Sequence, residues 1–166
     1  DLLVVFNSLV KKYSNIKLTI IGGAVSNSDK IYLANLLNKK SIFKEKTYIE
    51  ITGIISDVTN KLRQCNYYIH PSYREGVPKS LLEAMSVGLV VLASNIRGAR
   101  EIIINEKNGF LYKVKNKKEL YNQMEKLIHL NQKEILKIRN NSLDTIKDYS
   151  ESKYLERQLN GIIDSL

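Results

Sequence analysis

A single cysteine, Cys65, occurs in 166 residues. With no second thiol the chain cannot close an internal disulfide, and it lacks the paired thiolates of a structural zinc site. That suits a reducing compartment. The two histidines, His70 and His129, are far apart in sequence, so no metal-ligand spacing appears and no metal is expected. No apolar run reaches the ~18 residues that a membrane-crossing helix needs. Aromatic and basic residues do not interleave as base-stacking surfaces require, so no nucleic-acid partner is expected. Internal repeats, linkers and low-complexity stretches are also missing. The first residues, DLLVVFNSLVKKY, read as a helix, so a fragment of a longer chain is expected and the want of a leader peptide is uninformative.

What is present suffices for one domain with a core, since 43% of the residues are apolar. The net charge of +9 fits an anionic partner: a nucleotide, a lipid surface or nucleic acid. It fits equally well the base composition of a gene rich in Lys, Asn and Ile codons, because the lysines are scattered rather than gathered in one block.

Hydrophobic patterning alternates strands with helices. KLTIIGG reads as a buried strand entering a Gly-rich turn, DKIYLANLLNKK as a helix, and TYIEITGII as a strand reaching Gly53. DVTNKLRQC reads as a short helix capped by Asp57. YYIHP is a strand stopped by Pro71, and PKSLLEAMSVG is a helix with Pro78 at its first position and Gly88 past its end. LVVLAS is a wholly apolar strand, GAREIII a short helix, and NGFLYKV a turn and edge strand. Helices follow over residues 117–130, 132–146 and 150–166. Strands apolar on both faces indicate a parallel sheet with helices on each side, an α/β Rossmann-like fold with a helical tail.

In such a sheet, ligands sit beyond the carboxyl ends of the strands. The turns there are Gly22-Gly23, Gly53-Ile54, residues 70–77 and residues 94–98. The third is the chemically rich one. Pro78 has no N–H and suits a helix start, so the N–H groups of Lys79, Ser80 and Leu81 are left without helical partners. With the positive end of the helix dipole they form a phosphate seat, and Gly76 lets a ligand approach the backbone. Glu83, about one turn in, fits two readings: stabilisation of the helix by charge, or acceptance of a vicinal diol such as ribose hydroxyls. Glu75 has no helix to cap and lies in the ligand-bearing loop. Ala84 and Gly88, four apart, would let the helix pack closely on the sheet. His70 reads as a structural strand-end residue and Tyr73 as loop packing. Arg74 and Lys79 read as solvated charge within reach of a phosphate or an acceptor. Arg100 and Glu101 read as a local pair or cap, with a donor contact the lesser option.

Glu75-Gly76-x-Pro78, Leu82-Glu83-Ala84-Met85, Gly88, the strand to Ala93-Ser94, Gly98-x-x-Glu101-Ile102 and Asn108-Gly109-Phe110-Leu111 together resemble glycosyltransferase family 4. The two glutamates show that family's E-x7-E spacing. Residues 1–22 are similar to the segment following the first strand of the family's C-terminal domain. SYREGVPKSLLEAM with GARE is most similar to the branch that builds bacterial capsule, O-antigen and other lipid-linked glycans.

The resemblance implies a GT-B fold, two Rossmann-like domains with the active site between them, of which this chain matches the C-terminal one. Residues 1–149 would be a nucleotide-sugar donor domain without its first strand, and residues 150–166 a crossover helix. Glu75 would be the catalytic-site carboxylate, touching donor-sugar hydroxyls near the reacting carbon. The backbone of Gly76 and Val77 would hold the sugar, and that of Lys79 and Ser80 the diphosphate. Glu83 would take the ribose hydroxyls, and Gly53 and Ile54 would line the base. The family's Gly-x-Gly stands here as GGAVSN, which puts Gly22 and Gly23 at the donor-sugar and diphosphate contact. The family's diphosphate-gripping Arg and Lys fall ahead of Asp1.

The implied activity is transfer with retention from a nucleotide-diphosphate sugar to a glycan or lipid-linked acceptor. The implied place is the cytoplasm, at the inner face of the membrane or as a peripheral membrane protein. No cofactor is expected beyond the donor substrate, since helix-end N–H groups can stand in for a metal ion as charge builds on the leaving diphosphate. The alternatives are a non-catalytic nucleotide-sugar-binding module and a GT-B-like sugar-nucleotide epimerase. The chain alone is expected to be inactive.

Overall fold

The computed structural model describes residues 1–23 and 48–149, together with residues 27, 30, 31, 34 and 35. The helix expected over residues 150–166 and most of the one expected over 29–40 lie outside the described residues. The order is α1 (Leu2–Val10), β1 (Leu18–Ile20), β2 (Ile49–Ile51), α2 (Val58–Arg63), β3 (Tyr67–His70), α3 (Lys79–Ser86), β4 (Val90–Ser94), α4 (Arg97–Ile102), β5 (Phe110–Tyr112), α5 (Lys117–Ile128) and α6 (Gln132–Lys147).

All ladder pairings between these strands are parallel. β1 pairs with β2, Leu18 opposite Ile49, and β4 lies between β3 and β5, with His70 opposite Ala93 and Ser94 opposite Tyr112. The sheet therefore comes in two pieces among the described residues, where the sequence predicts one.

Period-2 alternation assigns each side chain to a face. On one face Val90 and Leu92 of β4 join Phe110 and Tyr112 of β5 under α1 and α5, which contribute Phe6, Leu9, Leu120 and Leu127. On the other, Val91 and Ala93 meet Leu62 of α2, Leu81, Ala84 and Met85 of α3, and Ala99 and Ile102 of α4. All five residues of β4 are buried, so LVVLAS is the central strand that its composition predicts. β1 departs from expectation: Leu18 is buried, but Thr19 and Ile20 are only half-buried. Two-sided packing is what fixes the strand ends, and with them the loops that carry chemistry.

Two asparagines brace the turn that enters β5 at its amino end. Asn108, buried to 1% exposure, donates to the Ile102 carbonyl at 3.0 Å and accepts from the Ile104 N–H at 2.8 Å. Asn105 Oδ1 accepts from the Leu111 N–H at 2.8 Å. These bonds satisfy backbone groups of the turn between α4 and β5 that neither helix nor ladder could reach.

Candidate functional site

α3 starts one residue later than predicted. Pro78 is its N-cap, with extended backbone (φ −78°, ψ 110°), and Lys79 is the first helical residue. Pro78 has no side-chain donor or acceptor, so the helix starts without a side-chain cap. The N–H groups of Leu81 and Leu82 both reach the Pro78 carbonyl, at 3.1 and 3.3 Å. Leu81 therefore does not present a free N–H, a correction to the three-donor seat. The open pair is Lys79 and Ser80, whose N–H groups have no acceptor among the described residues. At the far end, Gly88 (φ +79°) and Leu89 close a Schellman motif, bonding to the carbonyls of Met85 at 3.0 Å and Ala84 at 3.1 Å. Ala84 packs on the sheet as expected, and Gly88 lies past the helix and ends it, also as expected, so it takes no part in that packing.

Glu75 is held at both oxygens. The buried His70 ring bonds through Nε2 to Oε2 at 3.1 Å, and Ser72 Oγ donates to Oε1 at 2.6 Å. An ionised carboxylate only accepts, so the His70 proton sits on Nε2. His70 is thus more than a strand-end filler: it orients the loop carboxylate. Ser94 Oγ, buried at the end of β4, donates to the Ser72 and His70 carbonyls and fixes the loop's departure from the sheet. Tyr68 lies two residues earlier on the same strand face, its ring stacked near His70 with centroids 6.2 Å apart. Burial pushes the Tyr68 phenol up; the hydrogen bond with Ser80 opposes this, and the charges of Glu75 and Glu83 add to it. The phenol therefore lies within electrostatic reach of both glutamates and bonds Ser80 at the start of α3.

Glu83 is exposed and lies in the second turn of α3, too far from the helix start for the charge-capping role to apply. It makes no ion pair among the described residues. Its carboxylate faces solvent, free to accept.

The fourth turn buttresses the third. A Cβ placed on Gly98 would meet the Gly76 carbonyl oxygen at 1.7 Å, so the first turn of α4 lies directly on the Glu75–Gly76 backbone. Beside this contact is an open groove of about 900 Å³ whose walls include Arg74, Glu75, Val77, Arg97 and Arg100. Arg100 and Glu101 do not pair with each other: Arg100 bonds Asn95 and Glu101 bonds Arg97.

The first two turns also meet. Gly22 (φ +137°) and Gly53 (φ +69°) adopt left-handed backbone and form a bridge, the Gly22 N–H reaching the Gly53 carbonyl at 3.2 Å. A Cβ on Gly23 would meet the Ile54 side chain at 2.6 Å, so Ile54 lies across that glycine with 72% of its surface exposed. An apolar side chain displayed at a strand end offers a flat contact for a planar ring. The structure thus groups the predicted residues as Gly22, Gly23, Gly53 and Ile54 at the ends of β1 and β2, Lys79, Ser80 and Glu83 on α3, and Glu75, Gly76 and Val77 on the loop. Ile21 packs into the same apolar cluster as Leu81, which ties the first group to the second.

Sequence reasoning missed Tyr68, Ser72, Ser94 and Arg97. Alternation along YYIHPS was the available signal, since it places Tyr68, His70 and Ser72 on one face. No group of three or more His, Cys, Asp or Glu among the described residues is arranged to hold a metal ion, and no described helix is long and apolar enough to cross a membrane.

A parallel sheet covered on both faces, with an open helix end and a held carboxylate at its carboxyl edge, is an α/β arrangement of the Rossmann-like kind, in which ligands sit beyond the strand ends. The sequence matches the group 1 glycosyl transferases over residues 1–144, and the chain belongs to that family. Among curated relatives, it is 32% identical over 111 residues to N,N'-diacetylbacillosaminyl-diphospho-undecaprenol alpha-1,3-N-acetylgalactosaminyltransferase of Campylobacter jejuni, covering 67% of this chain and 29% of that protein. Among solved structures, Anabaena Alr3699/HepE in complex with UDP-glucose superposes with a TM-score of 0.83 at 20% identity, over 99% of this chain and 44% of that one. The C-terminal domain of a group 1 family glycosyl transferase (LpcC) from Francisella tularensis gives 0.77 at 25% identity, over 88% and 75%. The chain spans less than half the length of the first two.

Proposed function

We propose that this chain is the donor-binding half of a retaining glycosyltransferase that moves a sugar from a nucleotide-diphosphate sugar to a hydroxyl of a lipid-linked glycan. The observation that carries the reading is the juxtaposition of a doubly held carboxylate, Glu75, with the two open N–H groups of Lys79 and Ser80. In the reaction the bond between the anomeric carbon and the donor diphosphate breaks. The acceptor oxygen bonds that carbon on the same face, and its proton passes to the departing phosphate oxygen. Negative charge grows on the diphosphate, where the end of α3 stabilises it. Positive charge grows on the sugar ring, where Glu75 is the nearest fixed anion. Glu83 accepts from the ribose diol, and Ile54 with Gly53 contacts the base. Gly22 and Gly23 border the diphosphate.

The same reading accounts for the divided sheet. A strand preceding Asp1 would lie between β1 and β3, and Asp1 already sits beyond the end of β3, accepting from the Tyr73 hydroxyl at 2.8 Å. The lipid-linked acceptor follows the Campylobacter relative, whose name specifies one. It implies work at the inner face of the cytoplasmic membrane.

Because a neighbour holds UDP-glucose, UDP is the first nucleotide to test. In a parent carrying both domains, Glu83→Ala should weaken UDP binding by about tenfold, the loss of a charge-assisted hydrogen bond. Glu75→Gln should leave UDP affinity nearly unchanged and lower turnover. Equal losses of affinity with turnover intact would refute the division of roles. Normal binding without any transfer by the parent would favour the non-catalytic module.

A further inference from the structure

The groove between the residue 73–77 loop and α4 contains three arginines that the donor reading leaves unused. Their charges are not equally free. Arg97 is offset by Glu101 at 3.3 Å. Arg100 Nη1 donates to the carbonyl and the Oδ1 of Asn95, at 3.0 and 2.9 Å, so two neutral acceptors fix its position without cancelling its charge. Arg74 is exposed and makes no salt bridge among the described residues. The two acids of the groove are both engaged, Glu75 by His70 and Ser72 and Glu101 by Arg97. Arg74 and Arg100 therefore remain as guanidiniums without a salt-bridge partner among the described residues, and with Arg97 they outnumber the groove's two acids, Glu75 and Glu101, in a concave space of about 900 Å³. Lys115 adds a third cation at the edge, its Nζ 5.6 Å from the centre of the Tyr73 ring. Two forked donors facing one space suit an anion with two adjacent charged groups.

The groove and the open end of α3 share one wall, the Glu75–Val77 loop. A transferase that extends a glycan on a lipid diphosphate must handle two diphosphates at once. One is the leaving group of the donor; the other stays attached to the acceptor. They repel, and both lie within a few sugar-ring widths of the reacting carbon. Separate cationic seats on opposite sides of the loop that bears Glu75 would hold them apart. We propose that this groove receives the diphosphate of the lipid-linked acceptor, and that Arg74 and Arg100 hold it. The proposal rests on the transfer reading above and adds a specificity element on the donor half itself.

The test titrates this chain with geranyl diphosphate, with and without saturating UDP, and follows backbone amides by NMR. The expected result is shifts at residues 73–77 and 97–101 that persist under UDP. In the Arg74→Gln/Arg100→Gln double variant that binding should weaken by about tenfold or more while UDP affinity changes less than twofold. Arg74→Gln alone, which removes no bond among the described residues, should weaken it severalfold and guards against a folding defect. Inorganic diphosphate shifting the same amides supports the seat and shows that the headgroup suffices. Shifts confined to residues 79–83, or affinity unchanged in both variants, overturn the proposal. So does variant-sensitive binding to phosphatidylglycerol vesicles without any response to geranyl diphosphate, which would make the groove a membrane contact. If UDP leaves residues 79–83 unmoved while the groove still responds, the UDP-donor reading falls and the anion seat stands.

Discussion

Helices α6 and α3 begin in opposite ways. At α6, Asn131 Oδ1 accepts from the Glu134 N–H at 3.0 Å while Glu134 Oε2 accepts from the Asn131 N–H at 2.9 Å, a complete capping box. α5 starts similarly, with Asn116 accepting from the Glu119 N–H at 3.0 Å. At α3 the corresponding position is Pro78, which can do neither, and two N–H groups stay open at the positive end of the dipole. The uncapped one keeps its donors for something else. Where a helix forgoes about 1 kcal/mol of capping at a strand-end crevice, the open donors mark where a ligand belongs.

The largest effect expected from disturbing this difference comes from behind the loop. Gly98→Ala suits a helix by propensity. Its added methyl, however, meets the Gly76 carbonyl, a backbone atom that cannot rotate away. The Glu75–Gly76 segment must move by the order of an ångström, which typically costs about a hundredfold in rate when reacting groups are misplaced. The stability cost should be about 1–3 kcal/mol. Transfer by the two-domain parent, measured beside its thermal midpoint, decides. A rate falling only in proportion to the folded fraction would show that Gly98 packs α4 and positions nothing.

The next effect comes from giving α3 the cap it lacks. Pro78→Asn supplies a side chain able to bond the Ser80 or Leu81 N–H. Stability should change by less than ~1 kcal/mol, since the gained cap offsets the lost proline rigidity. Nucleotide affinity should fall by about tenfold, because the cap competes for a donor the phosphate needs. Calorimetric titration with UDP checks this. Unchanged affinity would mean that the open donors face water rather than ligand.

These variants also show which features could be read in advance. The unbroken apolar run that buries LVVLAS on both faces and the Asp57 cap, which accepts from Asn60 N–H at 2.8 Å, are local signals and are present as predicted. The exact start of α3 was not legible. Pro78 fits either the cap or the first turn, and only its ψ of 110° separates the two. His70 looked structural because nothing in HPSYRE says that the chain doubles back to set Glu75 against it. The Gly98–Gly76 contact joins turns distant in sequence, and the Arg74–Arg100 groove exists only because that contact brings α4 to the loop. Side-chain types were readable, whereas their meeting depended on strand exits and loop direction.

Removing the cap from α6 gives a smaller and purely structural effect. Asn131→Ala should cost about 1 kcal/mol of stability by denaturant unfolding and leave UDP affinity unchanged. If it altered nucleotide binding, the division between capped framework and open site would be too sharp.

The smallest effect concerns the outer strand. Glu50 of β2 lies between Lys17 and Lys61, each at 2.7 Å. The hydrogen bonds from Lys17 and then Lys61 hold its carboxyl down at about 2, against an ordinary value of 4.5. A carboxyl depressed in the folded state contributes stability fully only above its unfolded value. That contribution fades as pH falls from about 4.5 through about 2, because the unfolded chain takes up the proton first. The group is half-buried at the protein surface and within reach of salt, so the effect is small and should shrink as ionic strength rises. Glu50→Gln should therefore lower the thermal midpoint slightly at pH 7 and flatten its decline between pH 4.5 and pH 2. Thermal midpoints of both proteins across that range, at low and high salt, are the measurement. Parallel curves would show that the two lysines do not anchor β2 through Glu50. A difference at neutral pH that persists undiminished in high salt would point to packing of the Glu50 stem instead of its charge.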